Sequence, residues 1–174
     1  MTAKAKKPRS ARIRALLFDY GNTLAFLDYE LLAREFSTPA RRLDATALER
    51  AEYEGRATLD RILMGPNPPA DLDQPYRHYF RAWLRAAGIE DEDVLECGRR
   101  FTALHAQASL WRVVRAGTLD TLERLKSAGF KLAIVSNADG RVEDDARRLG
   151  MAPLFDAIID SQVVGVAKPD PRIF

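Results

Sequence analysis

An apolar run at residues 15–18 ends at Asp19, and a turn-forming segment follows at 20–24. Short apolar runs of this kind are typical of buried strands in a parallel sheet, and open α/β sheets bind ligands outside the carboxyl ends of their strands. Gly21 and Asn22 tolerate the backbone angles of a tight turn. The sequence therefore predicts a strand that delivers the Asp19 carboxylate to a functional edge of a sheet.

Two later apolar runs also lead into polar residues. The run at 131–135 is followed by Ser136 and Asn137, and the run at 157–160 precedes a loop that carries Lys168. Because parallel strands share one carboxyl edge, a carboxylate, a hydroxyl and an ammonium group are expected to meet there. The alternation of these runs with helical patterns predicts an α/β fold.

In this order, the residues resemble the motifs of the haloacid dehalogenase-like hydrolase superfamily. Residues 18–24 are similar to its first motif, residues 135–137 to its second, and residues 168–174 to the stretch around its third. The resemblance covers residues 13–24 and about 118–174. It implies a Rossmann-like parallel sheet, of which three strands are present, with an inserted α-helical cap bundle.

The chain is expected to divide into three parts. Residues 1–12 form a basic tail, residues 13–24 and 108–174 form the Rossmann-like hydrolase core, and residues 25–107 form the helical cap insertion. The tail lacks interleaved aromatic residues, so it is expected to be a solvated segment and not a nucleic-acid-binding surface.

The insertion shows helical periodicity. A capping box at Thr46 and Glu49 predicts a helix that runs to about Met64, and Pro75 suits the first turn of the next helix. Residues on one face of that second helix are expected to pack as a core and not to line a ligand pocket. They are Tyr76, Tyr79, Phe80, Trp83 and Leu84.

Two more helices are predicted in the second half of the core. Thr118 is expected to cap a helix that ends before Gly129. A helix at about 141–149 would turn its amino end toward a phosphate near Ser136.

The resemblance also assigns chemical roles. Asp19 would be the nucleophile that forms an aspartyl-phosphate, and Lys168 would offset the negative charge of the transferring phosphoryl group. Mg²⁺ would bind the Asp19 carboxylate and the Gly21 backbone carbonyl. Three further residues would bind the phosphate: Thr23, Ser136 and Asn137. The implied activity is that of a Mg²⁺-dependent phosphatase acting on a small phosphorylated metabolite.

Gly21 departs from the pattern of most phosphatases in this superfamily, which carry a second aspartate two places after the nucleophile. That aspartate protonates the leaving alcohol, and loss of such a group typically lowers the rate by a factor of about 10² to 10⁴. Asp28 or Asp139 could replace it, or the substrate could be an acyl phosphate with a better leaving group. A 2-haloacid dehalogenase is the alternative activity, because halide leaves without a proton.

The end of the sequence supports a hypothesis of another class. Asp170 and Pro171 begin a helix, yet the sequence stops at Phe174, before one full turn and before the acidic fourth motif of the superfamily. The strand that precedes Asp19 would be an unpaired edge, and Ile173 and Phe174 would be apolar side chains without a continuation to bury them. The chain as given is then expected to be an inactive fragment or a partner-dependent binding protein.

Composition adds few constraints. The net charge is +2, Cys97 is the only cysteine, and no apolar run approaches the roughly 20 residues of a membrane span. These features predict a cytoplasmic protein without a membrane or nucleic-acid partner. His78 and His105 lack the spacing of metal ligands, so they are expected at the surface or in packing contacts. The oligomeric state is left open by the sequence.

Overall fold

The structure is a computed structural model that describes residues 13–67, 69 and 73–174. The predicted basic tail lies outside the described residues. Two compact units are present: a sheet unit, in which residues up to Phe26 join Trp111–Phe174, and a helical unit, Leu27–Leu110.

The described secondary structure alternates between strands and helices in the sheet unit and is almost entirely helical in the other. The strands are β1 (Ala15–Phe18), β2 (Phe26–Leu27), β3 (Trp111–Val113), β4 (Lys131–Ser136) and β5 (Ala157–Asp160). The α-helices are α1 (Tyr29–Phe36), α2 (Ala45–Leu63), α3 (Asp73–Ala86), α4 (Asp91–Gln107), α5 (Thr118–Ser127), α6 (Val142–Arg148) and α7 (Ser161–Val164). Short 3₁₀ turns lie at Ala152–Leu154 and Pro171–Ile173.

Three parallel strands form the main sheet in the order β1-β4-β5. Leu17 pairs with Ala133, and Val135 pairs with Ile159, so all three strands end at the same edge. The predicted parallel α/β sheet is confirmed. Within the described residues β1 has a strand neighbour on one side only. The short β2-β3 sheet was not predicted, because strands of two and three residues are too short to show the apolar–polar alternation of a strand.

One face of the main sheet is buried by helices α5 and α6. Leu132 and Ile134 of β4 are fully buried there, and they share a core cluster with Leu122 of α5 and Ala146 of α6. Leu17 points to the other face and is 56% exposed. The alternation of side chains along each strand therefore separates a packed face from an open one.

The helical unit is held together by close contact between α2 and α3. A β-carbon on Gly55 would lie 2.9 Å from the Tyr79 carbonyl oxygen and 3.0 Å from the Trp83 β-carbon. Trp83 is fully buried, and its indole donates a hydrogen bond of 2.9 Å to the Leu48 carbonyl. The predicted core stripe is confirmed for Tyr79, Trp83 and Leu84, whereas Tyr76 is largely exposed.

A buried carboxylate also links these helices. Glu52 of α2 has no exposed surface. It accepts hydrogen bonds of 2.6 Å from the hydroxyls of Tyr29 and Tyr79 and two more from the Arg56 guanidinium. Burial, together with the neighbouring carboxylate, raises the pKa of both tyrosines well above the ordinary value. The hydroxyls therefore remain protonated and donate hydrogen bonds to Glu52. These bonds offset the free-energy cost of burying its carboxylate.

Three local predictions were wrong. The cap of α2 is Asp44 and not Thr46, because the Asp44 carboxylate accepts from the Ala47 amide at 2.8 Å. Helix α5 begins after Gly117, whose φ of 81° ends the preceding turn, so Thr118 is its first residue. Ile173 is buried, because the 3₁₀ turn capped by Asp170 directs it inward.

No helix among the described residues is both long and apolar enough to cross a membrane.

The contact at Gly55 leads to a prediction that runs against helix propensity. Alanine normally stabilises a helix interior relative to glycine by about 1 kcal/mol. At Gly55 the added methyl group meets the α3 backbone, so Gly55→Ala is expected to destabilise the chain by about 1 to 3 kcal/mol. A β-carbon on Gly98 of α4 would have no atom within 4 Å, so Gly98→Ala is the matched control and is expected to be stabilising.

Urea denaturation followed by circular dichroism measures both effects. A Gly55→Ala midpoint at or above that of Gly98→Ala would contradict the packing described for α2 and α3.

Candidate active site

Asp19 and Lys168 meet at the carboxyl edge of the main sheet. The Lys168 Nζ lies 2.9 Å from the Asp19 Oδ1, although 149 positions separate the two residues in the sequence. The Asp19 side chain is half-exposed and that of Lys168 is about one quarter exposed. The predicted nucleophile and the predicted cation are therefore in direct contact and open to a ligand.

Lys168 is fixed by more than its ion pair. Its ammonium group also donates to the Val135 carbonyl at 3.0 Å, near the end of β4. The Asn137 side chain accepts from the Lys168 amide at 2.7 Å and donates to the Lys168 carbonyl at 2.9 Å. Asn137 thus positions the backbone of Lys168, a contact that its predicted role in phosphate binding did not include.

The two oxygens of Asp19 have different surroundings. Oδ1 accepts from Lys168 and from the Tyr20 amide at 2.9 Å. No described residue donates a hydrogen bond to Oδ2. One oxygen therefore orients the carboxylate, and the other is available to an electrophile or a cation.

The turn after β1 is tightly bonded. The Tyr20 carbonyl accepts from the amides of Leu24 and Ala25 at 2.9 and 3.1 Å, and the Asn22 amide donates to the Ala25 carbonyl at 2.8 Å. Asn22 has a φ of 58°, a left-handed conformation that asparagine tolerates better than most residues. Thr23 lies on this turn and is exposed.

Ser136 is the last residue of β4 and is almost fully buried. It pairs in register with Asp160, the last residue of β5. Its position places its backbone at the same edge of the sheet as Asp19.

Asp160 was not predicted as part of the site, although its position at a strand end was visible in the sequence. It is buried, and its carboxylate accepts from the amides of Gly140, Val142 and Gln162 at 2.9 to 3.3 Å. The start of α6 is therefore bonded to a carboxylate. That the amino end of this seven-residue helix also serves a phosphate stays a prediction.

Trp111 is a second residue that sequence reasoning missed. A β-carbon on Gly21 would lie 3.3 Å from two atoms of the Trp111 ring and 3.6 Å from a third. Trp111 starts β3 and packs against the core of the sheet unit. The indole therefore borders the position at which most phosphatases of the resembled superfamily carry a second aspartate. No sequence signal connects residues so far apart in the chain.

The two aspartates considered as substitutes for that group have other contacts. Asp28 caps α1 and accepts from the Leu31 amide at 2.8 Å. Asp139 lies 3.4 Å from the guanidinium of Arg141 in an ion pair.

The described residues offer only part of a metal site. They contain no group of three or more histidine, cysteine, aspartate or glutamate residues that could hold a metal ion. The half-exposed carboxylate of Asp19 is nonetheless the kind of oxygen ligand that Mg²⁺ prefers. The two histidines are not in such a group: the His105 Nδ1 accepts from the Leu110 amide at 3.1 Å, and His78 is exposed.

Comparison with known proteins gives one consistent result. A family model described as haloacid dehalogenase-like hydrolase matches residues 13–174. The human haloacid dehalogenase-like hydrolase domain-containing protein 3 is 35% identical over 175 residues, which cover 94% of this chain and 67% of that protein. A glyceraldehyde 3-phosphate phosphatase from Methanopyrus kandleri is 29% identical over 167 residues, which cover 93% of this chain and 67% of that protein.

The fold is also found among solved structures. The Bacillus subtilis protein YfnB, in a crystal form bound to magnesium, superimposes with a TM-score of 0.58 at 22% identity, over 94% of this chain and 71% of that one. The chain spans about two thirds of the length of the relatives that it matches over most of its own length.

The contacts of Asn137 can be tested without an activity assay. Asn137→Ala removes the acceptor of the Lys168 amide, so hydrogen exchange of that amide is expected to become about fivefold faster, for a hydrogen bond worth about 1 kcal/mol. NMR measures the exchange rate of the Lys168 amide in the variant and in the wild type. The Gly165 amide is the control, because it donates to the Ser161 carbonyl at the end of α7 and is expected to be unchanged. Equal exchange of Lys168 in both proteins would show that Asn137 does not hold this loop.

Proposed function

Because the chain belongs to the haloacid dehalogenase-like hydrolase family, we propose that it is a Mg²⁺-dependent phosphatase that acts on a small phosphorylated metabolite. The contact between Asp19 and Lys168 is the observation that carries this proposal. It combines an accessible carboxylate oxygen with a fixed cation, as expected for transfer of an anionic group to a nucleophile.

The proposed reaction has two steps. Asp19 Oδ2 attacks phosphorus while the bond from phosphorus to the leaving oxygen breaks, and that oxygen keeps the electron pair. Water then attacks the aspartyl-phosphate, which releases inorganic phosphate and restores the carboxylate. Each of these two steps has a lower barrier than a single direct displacement by water.

Lys168 supplies positive charge beside the attacking carboxylate. The Val135 carbonyl accepts from the ammonium group and Asn137 holds the Lys168 backbone before substrate arrives, so little reorganisation is needed when charge develops. Thr23, Ser136 and Asn137 are proposed to bind the phosphate. Mg²⁺, held in part by Asp19 and the Gly21 carbonyl, would supply further positive charge when bound.

A phosphorylated metabolite is favoured as substrate by the archaeal relative, whose name describes a glyceraldehyde 3-phosphate phosphatase. The helical unit is proposed to be the cap insertion of the family, and the sheet unit its hydrolase core. The cytoplasm is the proposed location, in keeping with the single cysteine.

Dehalogenation of a 2-haloacid is the second candidate. It is favoured by the absence of a side chain at Gly21, because attack of Asp19 on carbon would release halide without a proton. This reaction would not depend on Mg²⁺, which separates it from the first candidate.

The role of Asp19 is tested by replacement in the full chain. Asp19→Asn keeps the shape of the side chain and removes the nucleophilic charge, so Mg²⁺-dependent phosphate release is expected to fall by at least about 10³-fold. Lys168→Ala is expected to cost about 10² to 10³-fold through loss of charge stabilisation. Arg172→Ala, an exposed cation near Lys168 in the sequence, is the matched control and is expected to stay within about twofold of wild type.

Phosphate release and halide release are measured on the same preparations, with and without Mg²⁺. An Asp19→Asn variant that kept the Mg²⁺-dependent rate would rule out Asp19 as nucleophile. Halide release independent of Mg²⁺, without phosphate release, would establish the second candidate.

A further inference from the structure

We propose that Trp111 determines the class of leaving group: its indole closes the space beside Gly21, which restricts the enzyme to phosphates whose leaving group departs without a proton. Acyl phosphates are the substrate class that this predicts. The inference rests on the proposed phosphatase function and deepens it.

The first step is steric. Carbon atoms in favourable contact lie about 3.5 to 4.0 Å apart. A β-carbon at Gly21 would already be at 3.3 Å from two ring atoms of Trp111. A carboxylate built on that β-carbon would therefore have to displace the indole or turn away from its face.

The second step is that the indole is held in place. Trp111 lies in β3, which pairs with β2, and its side chain packs against the core cluster that contains Leu24 and Ala25. Both of these residues belong to the bonded turn that follows Asp19. The ring thus packs against a cluster that includes part of the segment carrying Gly21, and displacement of the ring would disturb this packing.

The third step concerns other proton donors. Asp160 is buried, and its carboxylate accepts hydrogen bonds from three backbone amides, which fix it to its loop and to the start of α6. Asp28 and Asp139 have the contacts described above, a helix cap and an ion pair. All three carboxylates thus take part in structural contacts, and none of the contacts described for them involves Asp19, Gly21 or Lys168.

The chemical consequence depends on the leaving group. An alkyl phosphate must release an alkoxide, the anion of an acid about as weak as water. A phenolate leaves as the anion of an acid of pKa about 10, and a carboxylate as that of an acid of pKa about 4. In an acyl phosphate the bond from phosphorus to the carboxylate oxygen breaks, and the carboxylate keeps the electron pair without a proton.

The experiment compares three substrates in four proteins. The substrates are acetyl phosphate, an aryl phosphate and glycerol phosphate; the proteins are wild type, Gly21→Asp, Trp111→Ala and the double variant. The quantity is kcat/KM, which reports transfer to Asp19 and not the later hydrolysis that all substrates share. Val113→Ala, an exposed residue of the same strand, is the control for changes in β3.

Wild type is expected to use acetyl phosphate well and glycerol phosphate poorly. Gly21→Asp alone is expected to gain nothing on glycerol phosphate, because the indole blocks the new carboxylate. The double variant is expected to gain about 10² to 10⁴-fold on glycerol phosphate relative to acetyl phosphate, the usual contribution of a general acid.

Folding is checked independently of turnover. Gly21→Ala is expected to lower the melting temperature in the wild-type background and not in the Trp111→Ala background, since the added methyl group meets the ring only when the ring is present. Equal effects in both backgrounds would overturn the steric argument.

The outcomes separate the two proposals. A gain on glycerol phosphate by Gly21→Asp as large as that of the double variant would overturn the role of Trp111 and leave the phosphatase function intact. An equal preference for the two substrates in wild type would do the same. Wild type that releases no phosphate above the Asp19→Asn background from any substrate would overturn the proposed function, and this inference with it.

Discussion

Parallel pairing of β1 with β4, and of β4 with β5, is the constraint on which the candidate site depends. Because the three strands run in one direction, their carboxyl ends open onto one edge. Asp19, Ser136 and Asp160 each stand at such an end. Lys168 then reaches the same edge from a loop, and its ammonium group joins Asp19 to the Val135 carbonyl. The hydrogen bonds of the sheet thus set the distances between groups that are remote in the sequence.

Three carboxylates in this chain have different functions because their surroundings differ. Glu52 is fully buried and accepts from two tyrosines and an arginine, so it fastens helices to each other. Asp160 is also buried but accepts backbone amides, so it shapes a loop and the start of α6. Asp19 is half-exposed, and no described residue donates to its Oδ2. Of the three, Asp19 alone combines a fixed orientation with an accessible oxygen, which is the condition for nucleophilic attack.

Gly21 and Gly55 have the same effect on packing in two parts of the structure. Each glycine allows another element to approach closely: the Trp111 ring at Gly21, and the backbone of α3 at Gly55. At Gly55 the approach joins two helices. At Gly21 it places an aromatic surface two residues from the proposed nucleophile, where a side chain would alter the chemistry. The missing side chain at Gly21 thus leaves the room in which the Trp111 ring packs.

The sequence by itself determined the three main strands, the sheet edge, the helical insertion and the candidate reactive pair, because apolar periodicity and strand-end polar residues are local signals. It misplaced the caps at Asp44 and Gly117, where neighbouring residues of similar propensity compete for one role. Only the tertiary structure decided that Asp160 occupies the start of α6, that Asn137 holds the backbone of Lys168, and that Trp111 covers Gly21. Those contacts join segments far apart in the chain, and their distances are fixed by packing and not by local sequence.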